Sequence, residues 1–291
     1  MNVGILGGGF GLYGYLPACI NLGWKVHTLN RYCDTIVNRP ELQSYLRQID
    51  FHDHEESLTS AVDSLICARD PDSQEKLVKL IDKSFDHLFL EKPLTANVFS
   101  HIEVLDLLLA NEQNFSVGYL FSYTDWFDRV INFESLKSRP DVAIEWNIRP
   151  KESDWKFNKS RGGGLGSFYG IHFIPLIISM GLTLADLRVT ATEKSLVITS
   201  VEKSSIDLSI RINLFGSPKF DLTLGGCPPA KSFKTSLDSP FGDIPINGLP
   251  DPRIGIIARY MDYQVQNNPI EENVMIENAV IEYRKLIENR C

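Results

Sequence analysis

The chain has 291 residues, of which 43% are hydrophobic and 23% charged, and a formal net charge of −8. That length is enough for one large or two ordinary domains with a sizeable core. The acidic balance, with no dense Lys/Arg tract, argues against a general nucleic-acid role.

In chain order, NVGIL (2–6) reads as a buried strand and YGYLPACINLG as a helix ended by Gly23. KVHTLN (25–30) is a second strand, and PELQSYLRQI a helix with Pro40 in its first turn. SLICAR (64–69) is another buried strand, DSQEKLVKLIDK a helix, and HLFLEKP (87–93) a strand ended by proline. SHIEVLDLLLANEQ gives a helix and FSVGYL (115–120) a strand. Strands alternating with helices predict βαβ units and a doubly wound parallel sheet, an α/β fold.

The texture changes after about residue 120. DVAIEWNIRP, LRVTATEKSL, VITSVEK, IDLSIRINLF and KFDLTLGG alternate with a period of two. They predict an open, mainly antiparallel sheet with one covered face. A helix is expected around 171–181. The Pro, Gly and Ser of 227–253 suggest a long loop, and IARYMDYQVQN and ENVMIENAVIEYRKLIEN two amphipathic helices. The expected organisation is a dinucleotide-binding domain over 1–120 and an α+β substrate and oligomerisation domain over 121–291. The uncovered sheet face is expected to be apolar and to pack on a second copy, as a homodimer or homotetramer.

The five cysteines, at 19, 33, 67, 227 and 291, show no CxxC spacing. They suggest neither a metal site nor a redox pair, and they fit a reducing cytoplasm. No signal peptide and no membrane span are expected; the most apolar stretch, IHFIPLIISMGLTL, is too short and is broken by His, Pro and Ser.

Glycines mark the first βα turn, VGILGGGFGLYG. A dinucleotide pyrophosphate needs a tight turn, close backbone approach and the free N–H groups of a helix start. Gly7, Gly9, Phe10 and Gly11 are the candidate phosphate turn. In a strict G-x-G-x-x-G the third glycine falls on Leu12, and a frame of Gly9, Gly11 and Gly14 begins further from the strand. A purely structural turn is the alternative. The second strand ends in Asn30 and Arg31, with no acid to bind ribose hydroxyls or repel a 2′-phosphate. Arg31 can pair with that phosphate, so NADP is the expected cofactor, with NAD as the other option and a plain surface arginine as the alternative role. HLFLEKPL then brings Glu91 and Lys92 to the carboxyl edge of the sheet, where ligands of such sheets bind. Lys92 can stabilise charge on a substrate oxygen; taken alone it reads as a solvated strand end.

GILGGGFGLYGYLPA, VDSLICARDPDSQ, FLEKPLTAN, FSVGYLF and GGGLGSFYGIHFIPLI together resemble the glucose–fructose oxidoreductase/inositol dehydrogenase (Gfo/Idh/MocA) family, in order and spacing. The resemblance covers nearly the whole chain. It implies a Rossmann domain plus an open-sheet domain, a nicotinamide cofactor, and sugar, cyclitol or nucleotide-sugar substrates. Carried over, Lys92 is similar to the family's site lysine and His172 to its acid/base histidine. Ala68, Arg69 and Gln74, in CARDPDSQ, resemble the loop that passes beneath the cofactor, with Gln74 where a histidine is more usual. Glu91 joins the expected cofactor contacts. The glycines of 162–164 are then expected to let backbone approach nicotinamide and substrate.

One position departs from the family pattern: Phe168 stands where an aspartate often precedes the histidine by four residues. Phenylalanine accepts no hydrogen bond, so either His172 works without that help, or Tyr169 or Ser167 supplies a polar contact, or the chemistry has shifted. Just before it, Arg149, Lys151, Lys156, Lys159 and Arg161 interleave with Trp155 and Phe157. Such a stretch can hold a phosphorylated or nucleotide-linked substrate, or be a solvated loop. Tyr119 and Tyr123 are candidate pocket residues or core. The expected function is hydride transfer between nicotinamide and a carbonyl/hydroxyl carbon of a small sugar-like substrate, with no nucleic-acid or membrane partner. The alternatives are reduction of a non-sugar C=N or C=C bond, and a silent NADP-binding regulator.

Overall fold

A computed structural model of the chain describes residues 1–81, 84–133, 140–149, 155–214, 217–225, 233–242 and 249–288. They form two compact units, Met1–Leu120 with Pro245–Val274, and Phe121–Ile244 with Met275–Cys291.

The first unit holds β1 (Asn2–Leu6), α1 (Leu16–Asn21), β2 (Lys25–Leu29), α2 (Cys33–Val37), α3 (Pro40–Gln43) and β3 (Ile49–His52). It continues with α4 (Glu55–Ser60), β4 (Ser64–Cys67), α5 (Pro71–Leu80), β5 (His87–Leu90), α6 (Val98–Ala110) and β6 (Phe115–Val117). The six strands lie in the order β3-β2-β1-β4-β5-β6, all parallel. Every residue of β4 and β5 is buried, as expected of strands covered on both faces by crossover helices. Helix starts are set by side chains: Asp70 caps α5 ahead of Pro71, and Asn97 caps α6. The order reverses between β1 and β4, and that switch point fixes where a ligand crevice opens.

Sequence reading gives no strand at β3 and runs a helix through Ile49. In the structure that helix is only α3 and a tight turn at Leu46–Gln48. β3 is an edge strand in which only Ile49 is buried, so it carries no alternation to detect.

The second unit holds α7 (Asp125–Ile131), β7 (Asp141–Ile148), α8 (Ile174–Ser179), β8 (Leu187–Ala191), β9 (Ser195–Ser200), β10 (Asp207–Leu214), β11 (Lys219–Gly225) and β12 (Phe233–Leu237). The sheet order is β12-β11-β7-β10-β9-β8. All pairings are antiparallel except β7 with β10. β12 lies inside the stretch expected to be a loop; its half-exposed, mixed residues give little strand signal.

Two further helices follow, α9 (Ile254–Asn267) and α10 (Ile270–Glu288). A second domain running unbroken from 121 to 291 is therefore corrected: Pro245–Val274 packs with the first unit. The cause is α9, which buries Ile257, Tyr260 and Met261. The Tyr260 hydroxyl lies 2.7 Å from Ser116 Oγ on β6, and Asn273 Nδ2 donates to the Phe115 carbonyl at 2.8 Å.

The open face of the second sheet also differs from expectation. The inward residues of β7 are Val142, Ile144, Trp146 and Ile148, but the other face carries Glu145, Asn147, Arg211, Asn213, Asp221 and Thr223. Ala143 and Val197 interrupt this polar surface, and Asn213 donates across it to Glu145 and Asn147. Alternation reveals that one face is polar, and here the polar face is the uncovered one. The apolar patch behind the expected oligomer is absent among the described residues of these strands. No helix among the described residues is long and apolar enough to cross a membrane.

His87, Ser116 and Tyr260 form a buried chain, with His87 Nε2 3.0 Å from Ser116 Oγ. Burial pushes the His87 imidazole down from 6.5 to about 4. The folded core keeps it neutral, while the unfolded chain protonates it near the ordinary value. Stability from this site is thus unchanged above pH 6.5, falls as pH drops toward 4, and then levels, a loss of about 3 kcal/mol in all. Urea unfolding at pH 4 to 7 is expected to show that slope in the wild type and a flatter one in His87→Gln; equal slopes would contradict it.

Candidate functional site

One group of candidate residues lies at the carboxyl edge of the parallel sheet. Gly7 follows β1 with φ +154°, and a side chain there would run into the Ala68 carbonyl just past β4. Gly11 sits over Ile5 and Ala68 in the same way, with added atoms meeting them at 3.1 and 3.2 Å. At Gly9 an added Cβ meets nothing within 4 Å. The turn is thus pressed onto the sheet at Gly7 and Gly11 and open outward at Gly9. Leu12 N–H bonds to the Gly9 carbonyl at 2.9 Å, starting a wide helical turn, Gly11–Tyr15, that leads into α1. The N–H groups of a first helical turn have no partner within the helix. This is a cradle into which a pyrophosphate fits. The Phe10 ring is not part of it: it packs edge-on to Tyr15 and under the Arg253 guanidinium, 4.3 Å from its centroid.

The carboxyl ends of β2 and β3 show charges that the linear sequence conceals. Arg31 Nη2 and Arg69 Nη2 both donate to Glu55 Oε1, at 2.7 and 2.6 Å. Asn30 Nδ2 donates to Asp53 Oδ1 at 2.5 Å. Burial raises the Glu55 carboxyl, but the bonds from Arg69 and then Arg31 outweigh it and hold the group below the usual carboxylate range. Tyr32 stands against the phosphate turn, 3.1 Å from an added Cβ at Gly8, and Arg31 lies over its ring at 5.2 Å. The ground for expecting NADP, an acid-free end to β2, therefore does not hold in space. Asp53 and Glu55 arrive from the segment after β3, the strand that sequence reading lacked.

The EKP segment is braced from inside. Gln74 is completely buried. Its Nε2 donates to the carbonyls of Glu91 (2.7 Å) and Leu94 (3.1 Å), and its Oε1 accepts from the Glu91 N–H at 2.8 Å. Both amide hydrogens are committed, so the expected cofactor contact at Gln74 is corrected to a structural clamp. Glu91 Oε1 accepts from Tyr15 at 2.7 Å. Burial, then the Glu91 charge, pushes the Tyr15 phenol well above its usual range. Gly118 leaves room for that pair, since a Cβ there would lie 2.9 Å from the Tyr15 hydroxyl. Lys92 follows, buried, and its peptide bond to Pro93 is cis. Tyr119 is buried too.

A second group of candidate residues lies in the other unit. Gly162 and Gly164 have φ of +79° and +104°, and between them a side chain on Gly163 would collide with the backbone of Trp155 and Lys156. The close approach expected toward nicotinamide is thus made to the chain's own loop. Gly164 N–H bonds to the Lys156 carbonyl at 2.7 Å, folding the Trp155–Phe157 turn onto the glycine run. Gly166 and Gly170 face Ile287 and Tyr283 of α10, where side chains would clash.

His172 is 5% exposed and stacks on Phe121, with centroids 4.4 Å apart and planes at 17°. Trp146 and Phe241 meet it edge-on at 6.3 and 6.2 Å. Phe168 lies edge-on to Trp155 and Tyr169, with the Lys156 ammonium 5.7 Å over its ring. Tyr169 stacks on Phe157. Where a carboxylate would be polar, this chain builds an aromatic wall. Lys159, Arg161 and Arg149 are exposed, and Lys151 lies outside the described residues. Phe121, Trp146 and Phe241 gave no sequence signal beyond apolar character. Among the described residues no cluster of three or more His, Cys, Asp or Glu side chains is placed to hold a metal ion.

No family model matches the chain, and no curated protein matches it in sequence. Solved structures match its fold. The WlbA (WbpB) dehydrogenase of Thermus thermophilus, in complex with NAD and UDP-GlcNAcA, is 12% identical with a TM-score of 0.67, over 98% of this chain and 93% of its own. A Gfo/Idh/MocA family oxidoreductase of Vibrio cholerae is 15% identical with a TM-score of 0.69, over 100% and 99%. The transcriptional regulator Gal80p of Kluyveromyces lactis is 12% identical with a TM-score of 0.68, over 99% and 90%. The chain therefore has the fold of the Gfo/Idh/MocA oxidoreductases: a Rossmann-like parallel sheet and a second, mostly antiparallel one.

Gln74→Ala would remove three buried bonds from the EKP backbone, the donors to the Glu91 and Leu94 carbonyls and one of the two acceptors of the Glu91 N–H, which keeps the Cys67 carbonyl at 3.2 Å. The expected loss is about 2–4 kcal/mol in urea unfolding, against less than about 1 kcal/mol for a solvated glutamine. A loss in the smaller range would show that the clamp does not hold the EKP turn.

Proposed function

We propose that the protein is an oxidoreductase that binds a nicotinamide dinucleotide and acts on a carbonyl/hydroxyl carbon of a sugar, cyclitol or nucleotide-linked sugar. The observation that carries this reading is the phosphate turn, seated by Gly7 on the Ala68 carbonyl at the switch point and open outward at Gly9. The N–H groups of Gly9, Phe10 and Gly11 would hold the pyrophosphate. The dinucleotide, when bound, supplies the hydride acceptor or donor. Lys92 would hold the substrate oxygen and stabilise charge on it. His172 would take the hydroxyl proton in oxidation and return it to the oxygen in reduction. The half-exposed rings of Trp155 and Phe157, with exposed Lys159 and Arg161, suit a substrate that carries a base or a phosphate. Similarity in fold to a dehydrogenase solved with NAD and UDP-GlcNAcA supports that substrate class.

A second reading rests on Phe168 and its aromatic neighbours. The aromatic surroundings of Phe168, and of His172 against Phe121, Trp146 and Phe241, suit a non-sugar C=N or C=C substrate, or a protein that binds the dinucleotide without turnover, and the fold of Gal80p accommodates a regulator.

Titration with NADH and NADPH, followed by a panel of ketosugars and nucleotide-linked sugars, tests the first reading. Lys92→Ala and His172→Ala are each expected to lower kcat/KM by roughly 10²- to 10⁴-fold while leaving dinucleotide affinity within a few-fold. Full activity in both variants refutes the assigned roles. Tight dinucleotide binding with no turnover on any substrate favours the regulator.

A further inference from the structure

We infer that Glu55 sets the choice of coenzyme: by occupying both Arg31 and Arg69 it makes the chain take NAD rather than NADP. The inference rests on the dinucleotide reading above and goes beyond it.

A 2′-phosphate carries close to two negative charges and is held by arginines that have charge to spare. Here none is spare. Arg31 and Arg69 share one oxygen of Glu55, and Asp53, two residues before Glu55, accepts from Asn30, the neighbour of Arg31, adding a second carboxylate to this edge. Two guanidinium groups against two carboxylates leave the cluster neutral. A phosphate entering it meets two like charges, which costs more than the arginines return while they remain paired.

Glu55 is also not free to swing away. Arg69 has only 16% of its side chain exposed, and a charge so buried needs its counter-ion. Displacing Glu55 would strip Arg69 of that partner or move the carboxylate next to the incoming phosphate. A ribose bearing two hydroxyls has the opposite fit. Carboxylates accept hydrogen bonds from hydroxyl groups, as the acid at the end of the second strand does in NAD-binding sheets. In this chain the acids come one strand later, after β3, while Asn30 and Arg31 hold the usual place. The cluster also belongs to the phosphate turn, because Tyr32, beneath Arg31, lies against Gly8.

The test measures dissociation constants for NADH and NADPH, by nicotinamide fluorescence, on the intact wild-type chain and on Glu55→Gln. The wild type is expected to bind NADH at least about tenfold tighter. Glu55→Gln is expected to cut that ratio about tenfold or more, chiefly by tightening NADPH, with the gain shrinking as salt is raised. A wild type that prefers NADPH, or a ratio that Glu55→Gln leaves within about twofold, overturns the inference. If thermal denaturation shows Glu55→Gln unfolded, Asp53→Asn carries the test, since it removes a charge without touching Arg69. A shift of a few-fold toward NADPH is expected there, and an unchanged ratio overturns the inference. A folded wild type that binds neither nucleotide removes the dinucleotide reading as well, which separates that failure from a wrong coenzyme choice.

Discussion

A side chain at residue 7 has nowhere to go but into the carbonyl of Ala68. This one contact seats the first βα turn on the neighbouring strand at the point where strand order reverses. Gly7 and Gly11 both lie close against the sheet, and the helical turn that follows starts directly above Ile5 and Ala68. The next links follow from its position. Tyr15, one turn into the helix, reaches Glu91, and Gly118 gives that pair room. Gln74 then holds the backbone on either side of Lys92. The backbone around Lys92 is thus held by Gln74 from within the same unit, with Tyr15 bonded to the preceding Glu91. A longer residue at 7 would disturb the phosphate turn.

The second unit uses glycine for a different end. Gly163, Gly166 and Gly170 each remove a side chain where backbone or helix comes close: the Trp155–Lys156 turn for the first and α10 for the other two. Each of these approaches is met by the chain itself. In the same unit the His172 ring lies flat on Phe121 with Trp146 and Phe241 at its edges. Stacking fixes the ring plane as firmly as a carboxylate would, but it accepts no proton and offers no charge. The plane of the histidine ring is thus set by aromatic contacts, and Phe168 belongs to a neighbouring group of rings with Trp155 and Tyr169.

Patterns of short range were legible in the sequence. The strand–glycine–helix order at 2–21, the buried runs of β4 and β5, and the alternation of β7, β10 and β11 are each written in adjacent residues, and each appears where expected. What was not legible depends on partners distant in sequence. β3 is a polar edge strand whose identity comes from its neighbour β2, and without it Asp53 and Glu55 cannot be placed beside Asn30 and Arg31. Gln74 reads as a helix residue near a crevice, yet its amide is turned inward by a strand end seventeen positions on. The return of α9 to the first unit is set by Tyr260 reaching Ser116, a contact across 144 positions.

The charge cluster shows why this limit matters for function. The residue at the end of β2 is the usual guide to coenzyme choice, and Arg31 there points to NADP when taken alone. Its meaning depends on what the arginine is already bound to. A guanidinium that donates to a carboxylate at 2.7 Å is no longer a vacant phosphate site. Arg69 ties that carboxylate in place from the half-buried side, so the pairing cannot be undone at the exposed arginine alone. Specificity at this edge is therefore a property of four residues from three loops, with Glu55 the member on which both arginines depend.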